Sequence, residues 1–478
     1  MRATLMGKDP ARPKSERFSY IALMTILFTG QFIAIFDISV ANVLLPTIQG
    51  QFDVTSALGG LVVTAYSATY AGTVILAGRL SDSYGFSRIY LWGVGIFGVA
   101  SLGCAFAPGF SSLVIFRAIQ GVGAGLLFPQ VLAGVQGSIP PSWRGVATGI
   151  FGVILGAGST LGQLGGALLS EVDFLGSGWR LAFLINGPTC AAILVGGYFL
   201  FAKPTKEKLR FLDIRGAILS CVSLGSFVLA IAFLGAKQEP WLWISLLFSS
   251  LVLAILFWCH ENHVWMRGKD SIIRKELLRN RMFIRGICIT FAFFVTQVPF
   301  YVVLTQAIQV GTNSSPLESA ALYAPLGIAF IVASSVAGRV RSSLNALLSF
   351  FAASVLALTF LCLTAIPIKD ISAANLNCVA LMTIIGLAGG CIAPSIVRLT
   401  LSGIESEYAG SASGLVAMTQ QLANSVGTAT MALLFALNFG SVGPLGDLRG
   451  NLITLALTAL GVAVLVGFTH LAIRRAGA

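Results

Sequence analysis

The sequence predicts an all-α polytopic membrane protein with fourteen transmembrane helices and both termini in the cytoplasm. Three observations predict it. Of 478 residues, 56% are hydrophobic and only 10% are charged, where a soluble domain carries roughly 25% charge. Fourteen apolar runs reach the ~20 residues that a helix needs to cross a bilayer. Lys and Arg fall in alternate connections: with the N-terminus inside, 25 of the 30 lie on the cytoplasmic side and four outside. That asymmetry is the positive-inside pattern, so the net charge of +12 needs no nucleic acid to explain it.

The elements follow in chain order. Residues 1–18 form a polar, basic cytoplasmic tail. The run behind it, Phe18 to Leu45, is too long for a signal-peptide core and reads as a retained first span. Six spans, at 19–43, 57–78, 88–107, 110–136, 145–170 and 181–202, make an N-terminal lobe over 19–202. A linker over 203–282 holds two extra spans, 213–235 and 240–258. It also holds a basic loop, KDSIIRKELLRNR, that suits a short amphipathic helix. Six more spans, at 283–309, 317–338, 344–366, 375–398, 409–436 and 451–473, make a C-terminal lobe over 283–478. The layout is 6+2+6. The 53 glycines suit close helix approach through small residues.

Polar residues inside this apolar chain carry the functional reading. GRLSDSYGFSR, Gly78 to Arg88, connects spans two and three. Gly78 and Gly85 permit a tight turn and close helices, and Asp82 can cap a helix or pair with an Arg. FRAIQGVGAG, Phe116 to Gly125, puts Arg117 inside span four, where a charge is costly unless paired. FDISVANVLLP, Phe36 to Pro46, puts Asp37 inside span one. By helical rise the two lie at similar depth, ~9–10 Å below the outer ends of their spans. Burial disfavours an ionised carboxylate and a nearby guanidinium favours it, so such a pair can load and release a proton; a static ion pair is the alternative. GAGSTLGQLGGALL, Gly156 to Leu169, aligns Gly158, Gly162 and Gly166 on one helix face.

Together these stretches resemble the major facilitator superfamily, and within it the fourteen-span drug:proton antiporters. GWRLAFLINGP, Gly178 to Pro188, is also similar to that group. The resemblance implies a two-lobed transporter with its substrate site near mid-bilayer, exposed to each side in turn. It implies Asp37 as proton carrier tuned by Arg117, and Gly78, Asp82, Gly85 and Arg88 as an inner gate latch. It implies Gly158, Gly162 and Gly166 as an antiporter glycine motif and hinge. Ser83 and Phe86 depart from the latch pattern, and Gln163 and Ala167 from the glycine motif.

Asn42, Gln120, Gly121, Gln163, Gln297, Gln420 and Asn424 are the candidate cavity residues. The second lobe has no mid-membrane acid or base, which predicts a low proton count and a substrate that is not strongly dicationic. The expected partners are a small organic substrate, protons and the lipid bilayer of the cytoplasmic (inner) membrane. The resemblance further implies a monomer, with a periplasmic adaptor as candidate partner. A dedicated exporter of one natural product or self-made toxin, or a proton-coupled importer, would use the same machinery. No cofactor, metal or enzymatic activity is expected. The eight cysteines lie singly in apolar runs and read as packing residues. GVGIFG, Gly93 to Gly98, lies in a span with no strand before it, and no phosphate-binding Gly-Lys loop occurs. HENH, His260 to His263, has the wrong spacing for a helical zinc pair and is expected to be solvated at the cytoplasmic interface.

Overall fold

A computed structural model describes residues 14–172, 178–201, 213–235, 239–267, 275–337, 342–367, 370–401, 404, 409–438 and 444–476. All of its regular elements are helices. The first eight are α1 (Lys14–Phe52), α2 (Ser56–Gly59), α3 (Leu61–Tyr84), α4 (Phe86–Ala105), α5 (Phe110–Ser138), α6 (Pro141–Ser170), α7 (Trp179–Leu184) and α8 (Asn186–Leu200). Then come α9 (Ile214–Gly235), α10 (Pro240–Met266) and α11 (Lys275–Arg279). The last seven are α12 (Arg281–Gly311), α13 (Pro316–Ala321), α14 (Tyr323–Ala337), α15 (Ser342–Thr364), α16 (Leu376–Leu401), α17 (Ala409–Asn438) and α18 (Pro444–Ala476).

Among the described residues each expected apolar run falls on one helix or, for the second, sixth and tenth, on two in succession. Among the described residues, nine helices are long and apolar enough to cross a membrane, and Arg215–Ile231 and Leu452–Gly467 are shorter apolar helices. The expected short loop helix is the five-residue α11.

Local chemistry sets the boundaries. Pro141, Pro240 and Pro316 open their helices at the first turn, where the missing N–H costs nothing. Asn280 caps α12, its Oδ1 accepting from the backbone N–H groups of Met282 and Phe283 at 3.0 and 3.1 Å. Gly85 breaks α3 from α4 with a φ of 83°, a conformation that L side chains resist. The sixth and tenth expected spans are each broken in two: α7 ends four residues before Pro188, and α13 four residues before Pro325. A proline ring clashes with the carbonyl four residues back. Pro46, by contrast, is held inside α1, which runs on to Phe52. The helix end is thus nine residues beyond the expected span end, and Asp37 lies ~22 Å from it at 1.5 Å per residue.

The end where α1 begins is the tail end; the opposite is the far end. α1 packs on α6, α5 and α8, α3 on α5, and α4 on α5 and α8. A second group packs α12 on α17 and α18, α14 on α16, and α15 on α16 and α18. The groups meet along α3 with α17 and along α6 with α14. At the far end Gln309 of α12 donates to the carbonyl of Val43 at 3.0 Å and to Ser319 at 2.7 Å. α9 lies against both α3 and α17, and α10 lies on α9. Only 6% of the apolar window of α10 is buried, against 28% or more in the other eight spans, so α10 presents its surface outward. Ser223 of α9 and Ser250 of α10 each donate to the other's backbone carbonyl at 2.9 Å.

Candidate functional site: a buried ion pair and its amide cage

Asp37 and Arg117 meet inside the first helix group. Neither side chain has exposed surface, and Nη1 of Arg117 donates to Oδ2 of Asp37. The two groups are 80 residues apart in the chain. α5 supplies Arg117 and, one turn later, Gln120. Nη1 of Arg117 also donates to Oε1 of Gln120 at 2.7 Å, and Nε to the carbonyl of Val62 at 2.8 Å. Nη2 has no hydrogen-bond partner among the described residues. The guanidinium carbon lies 4.4 Å from the ring centre of Tyr66 and 5.6 Å from that of Phe183, so aromatic faces balance part of its charge.

The other carboxylate oxygen is held by two amides. Oδ1 of Asp37 accepts from Nε2 of Gln120 at 2.9 Å and from Nδ2 of Asn186 at 2.8 Å. Both nitrogens also donate to Oγ of Ser101, at 3.2 and 2.9 Å. Ser101 in turn donates to the carbonyl of Phe183 at 2.9 Å. All five side chains of this set are 1% exposed or less. A buried ion pair is tolerable only when its remaining lone pairs and N–H groups are matched, and this cage matches nearly all of them. Its chemical capacity is to hold one negative charge in an apolar bundle beside a fixed positive one. Charge-assisted hydrogen bonds of this kind are about twice as strong as neutral ones.

Asn186 and Ser101 are site residues that the sequence reading missed. Asn186 is the first residue of α8, at the helix break set by Pro188. The neighbouring Gly-Trp-Arg segment closes the far end of the same group. Nε1 of Trp179 donates to Gln51, and Nη1 of Arg180 donates to the carbonyls of Ala105 and Ala107 at 2.8 and 3.0 Å.

The candidate cavity residues do not form one cluster. Gln120 belongs to the carboxylate cage. Gly121 makes a close helix contact: a Cβ there would lie 2.2 Å from the carbonyl oxygen of Tyr66. Asn42 and Gln163 are buried, with Oδ1 of Asn42 and both amide atoms of Gln163 unpartnered among the described residues. In the second group Asn424 is buried and Nδ2 donates to Gln421 at 3.4 Å, while Gln297 and Gln420 are half-buried.

Gly158, Gly162 and Gly166 face α1. At Gly162 a Cβ would sit 2.6 Å from the carbonyl oxygen of Phe36, so only glycine permits this approach. Of the gate-latch residues, Gly85 is held by its positive φ and two others are less constrained. Arg88 is exposed, and a Cβ at Gly78 meets nothing within 4 Å, so close packing does not require that glycine. The side chain of Asp82 lies outside the described residues. The expectation of a solvated HENH segment holds for Asn262 and His263 and fails for its other two residues. Nε2 of His260 lies 2.6 Å from Oδ1 of Asp213, and Glu261 is fully buried. Asp213, the residue before α9, is 47 residues back from His260, beyond the reach of a spacing argument. Among the described residues no group of His, Cys, Asp and Glu could hold a metal ion.

Comparison with known proteins bears on what this arrangement is. The chain is 27% identical over 433 residues to the "Probable actinorhodin transporter" of Streptomyces coelicolor, covering 88% of this chain and 73% of that protein. It is 28% identical over 415 residues to the "Multidrug export protein EmrB" of Escherichia coli K12, covering 85% and 79%. Its fold matches the crystal structure of the human organic anion transporter MFSD10 with a TM-score of 0.64 at 16% identity, over 95% of this chain and 100% of that one. The model of the Major Facilitator Superfamily matches residues 27–428. This chain, a multi-pass membrane protein and not an enzyme, belongs to that family of transporters.

Proposed function

We propose that the protein exports small organic molecules across the cytoplasmic membrane in exchange for protons. The observation that carries this is the fully buried Asp37–Arg117 pair. An ionisable pair this deep in an apolar bundle is expensive and marks a proton or ion pathway. In this reading the chain crosses the inner membrane fourteen times with both termini in the cytoplasm. It has lobes at 19–202 and 283–478 joined by the linker over 203–282, and it works as a monomer, with a periplasmic adaptor as a candidate partner. Asp37 carries the proton and Arg117 answers its charge. Asn42, Gln163, Gln297, Gln420 and Asn424 offer polar contacts to substrate, and Gly158, Gly162 and Gly166 let α6 move on α1. Gly78, Asp82, Gly85 and Arg88 latch the tail-end gate. Multidrug export is the activity in the printed name of one relative. A second reading, export of a single natural product, draws on the name of another.

The test is accumulation of cationic, neutral and anionic compounds in an exporter-deficient host, with and without a protonophore. Wild-type chain lowers accumulation of at least one compound, the protonophore abolishes the effect, and Asp37→Asn lacks it. Response to one native metabolite alone selects the second reading. Increased accumulation with the wild-type chain refutes export.

A further inference from the structure

The hydrogen bonds around Asp37 run in one direction only. Ser101 owns a single hydrogen and gives it to the carbonyl of Phe183, so toward its other neighbours it can only accept. It accepts from the amide nitrogens of Gln120 and Asn186. A side-chain amide nitrogen carries two hydrogens; with one on Ser101, the second points at Oδ1 of Asp37. Gln120 is fixed a second time, because its Oε1 is taken by Arg117. Every protein group at Oδ1 therefore presents a hydrogen, and Oδ2 faces Arg117. A proton on either oxygen has no acceptor until an amide turns over and presents its carbonyl. Turning it over abandons the contact with Ser101.

We propose that Ser101 and Asn186 are positioning residues of the proton step: they hold the cage in the orientation that fits the ionised carboxylate. This rests on the reading of Asp37 as proton carrier. The other titratable or charged groups that act on this site from the packed helices are Arg117 of α5, Tyr66 of α3, Cys104 of α4 and Cys190 of α8. None of them hydrogen-bonds Oδ1. Asn186 is the member placed to move. It opens α8 at a helix break, where a first-turn residue lacks the i−4 bond of a helix interior, and Gln120 sits in the unbroken interior of α5. Proton loading then couples to the α7–α8 break through one amide.

The test reads the carboxyl group itself and needs no substrate. Full-length protein in lipid nanodiscs is titrated while the infrared carbonyl band of a protonated side-chain carboxyl is followed. The Asp37 band is identified by its loss in Asp37→Asn. Ser101→Ala and Asn186→Ala each remove support for the ionised form. In both, the band develops at a pH above the wild-type midpoint, by about one unit or more in Asn186→Ala, the worth of the hydrogen bond to a charged group that it deletes. If Asn186→Ala fails to fold, Ser101→Ala carries the test, since it removes one hydroxyl and leaves every helix boundary intact. A band that titrates at the wild-type midpoint or lower in the variants overturns the proposal and leaves the proton-carrier reading standing. Absence of any Asp37 band, in wild type and variants alike, overturns both.

Discussion

Removing Arg117 leaves a buried charge with nothing to answer it, and the size of that defect can be worked out. Both members of the pair have no exposed surface. Breaking such a pair by deleting one partner costs roughly 3–5 kcal/mol. Arg117→Ala also strips a donor from the carbonyl of Val62 and from Oε1 of Gln120, and a cation from the ring of Tyr66, which points to the upper half of that range. Asp37→Asn keeps the shape and removes the charge, at a cost of about 1–3 kcal/mol for the mismatched amide. In the double variant no unanswered charge remains, so its cost falls short of the two singles added together by at least ~2 kcal/mol. Urea unfolding of the purified protein in micelles, followed by tryptophan fluorescence, measures all four corners of the cycle. Effects that add to within about 0.5 kcal/mol would refute the claim that these two residues act as one neutralised pair.

Other substitutions test other joints. Gly162→Val places a side chain on the carbonyl of Phe36 and separates α6 from α1; loss of folded protein on size-exclusion chromatography is expected, whereas Gly78→Ala, in open space inside a helix, keeps or raises thermal stability by up to about 1 kcal/mol. Gly85→Ala must adopt a φ of 83° and loses ~1–2 kcal/mol, seen as a lower unfolding midpoint with unchanged helix content. Gln309→Leu deletes the bond from α12 to the carbonyl of Val43 at the far end, so a cysteine placed beside Val43 reacts faster with a water-soluble maleimide in that background than with Gln309 intact.

The helices were legible because bilayer length and loop charge are written into runs of 20 residues. Asp37 and Arg117 were legible for the same reason in reverse: a charge amid apolar residues is a loud exception. Ser101 and Asn186 are quiet. Small polar residues in apolar helices commonly hydrogen-bond their own backbone, as Thr290 does to the carbonyl of Gly286, so their presence in a run predicts nothing. Pro188 beside Asn186 was the available signal, since it foretells a helix break and hence a side chain set off from regular packing. The close contact of Gly121 with Tyr66 was not legible, because a glycine serves a cavity and a helix contact equally well in sequence. The Asp213–His260 contact was hidden because it joins the residue before α9 to α10, a pairing that no local pattern fixes.

The paired serines of α9 and α10 bear on how the chain is made. Synthesis delivers α3 first, then the α9–α10 hairpin, and α17 only 169 residues after α10 begins. During that interval the side of α9 that will meet α17 has lipid as its neighbour. Ser223 and Ser250 close a clasp within the hairpin itself, using groups already inserted and none from the unfinished half. Register between the two helices is thereby settled early, and the late-arriving α17 finds a finished surface to dock against.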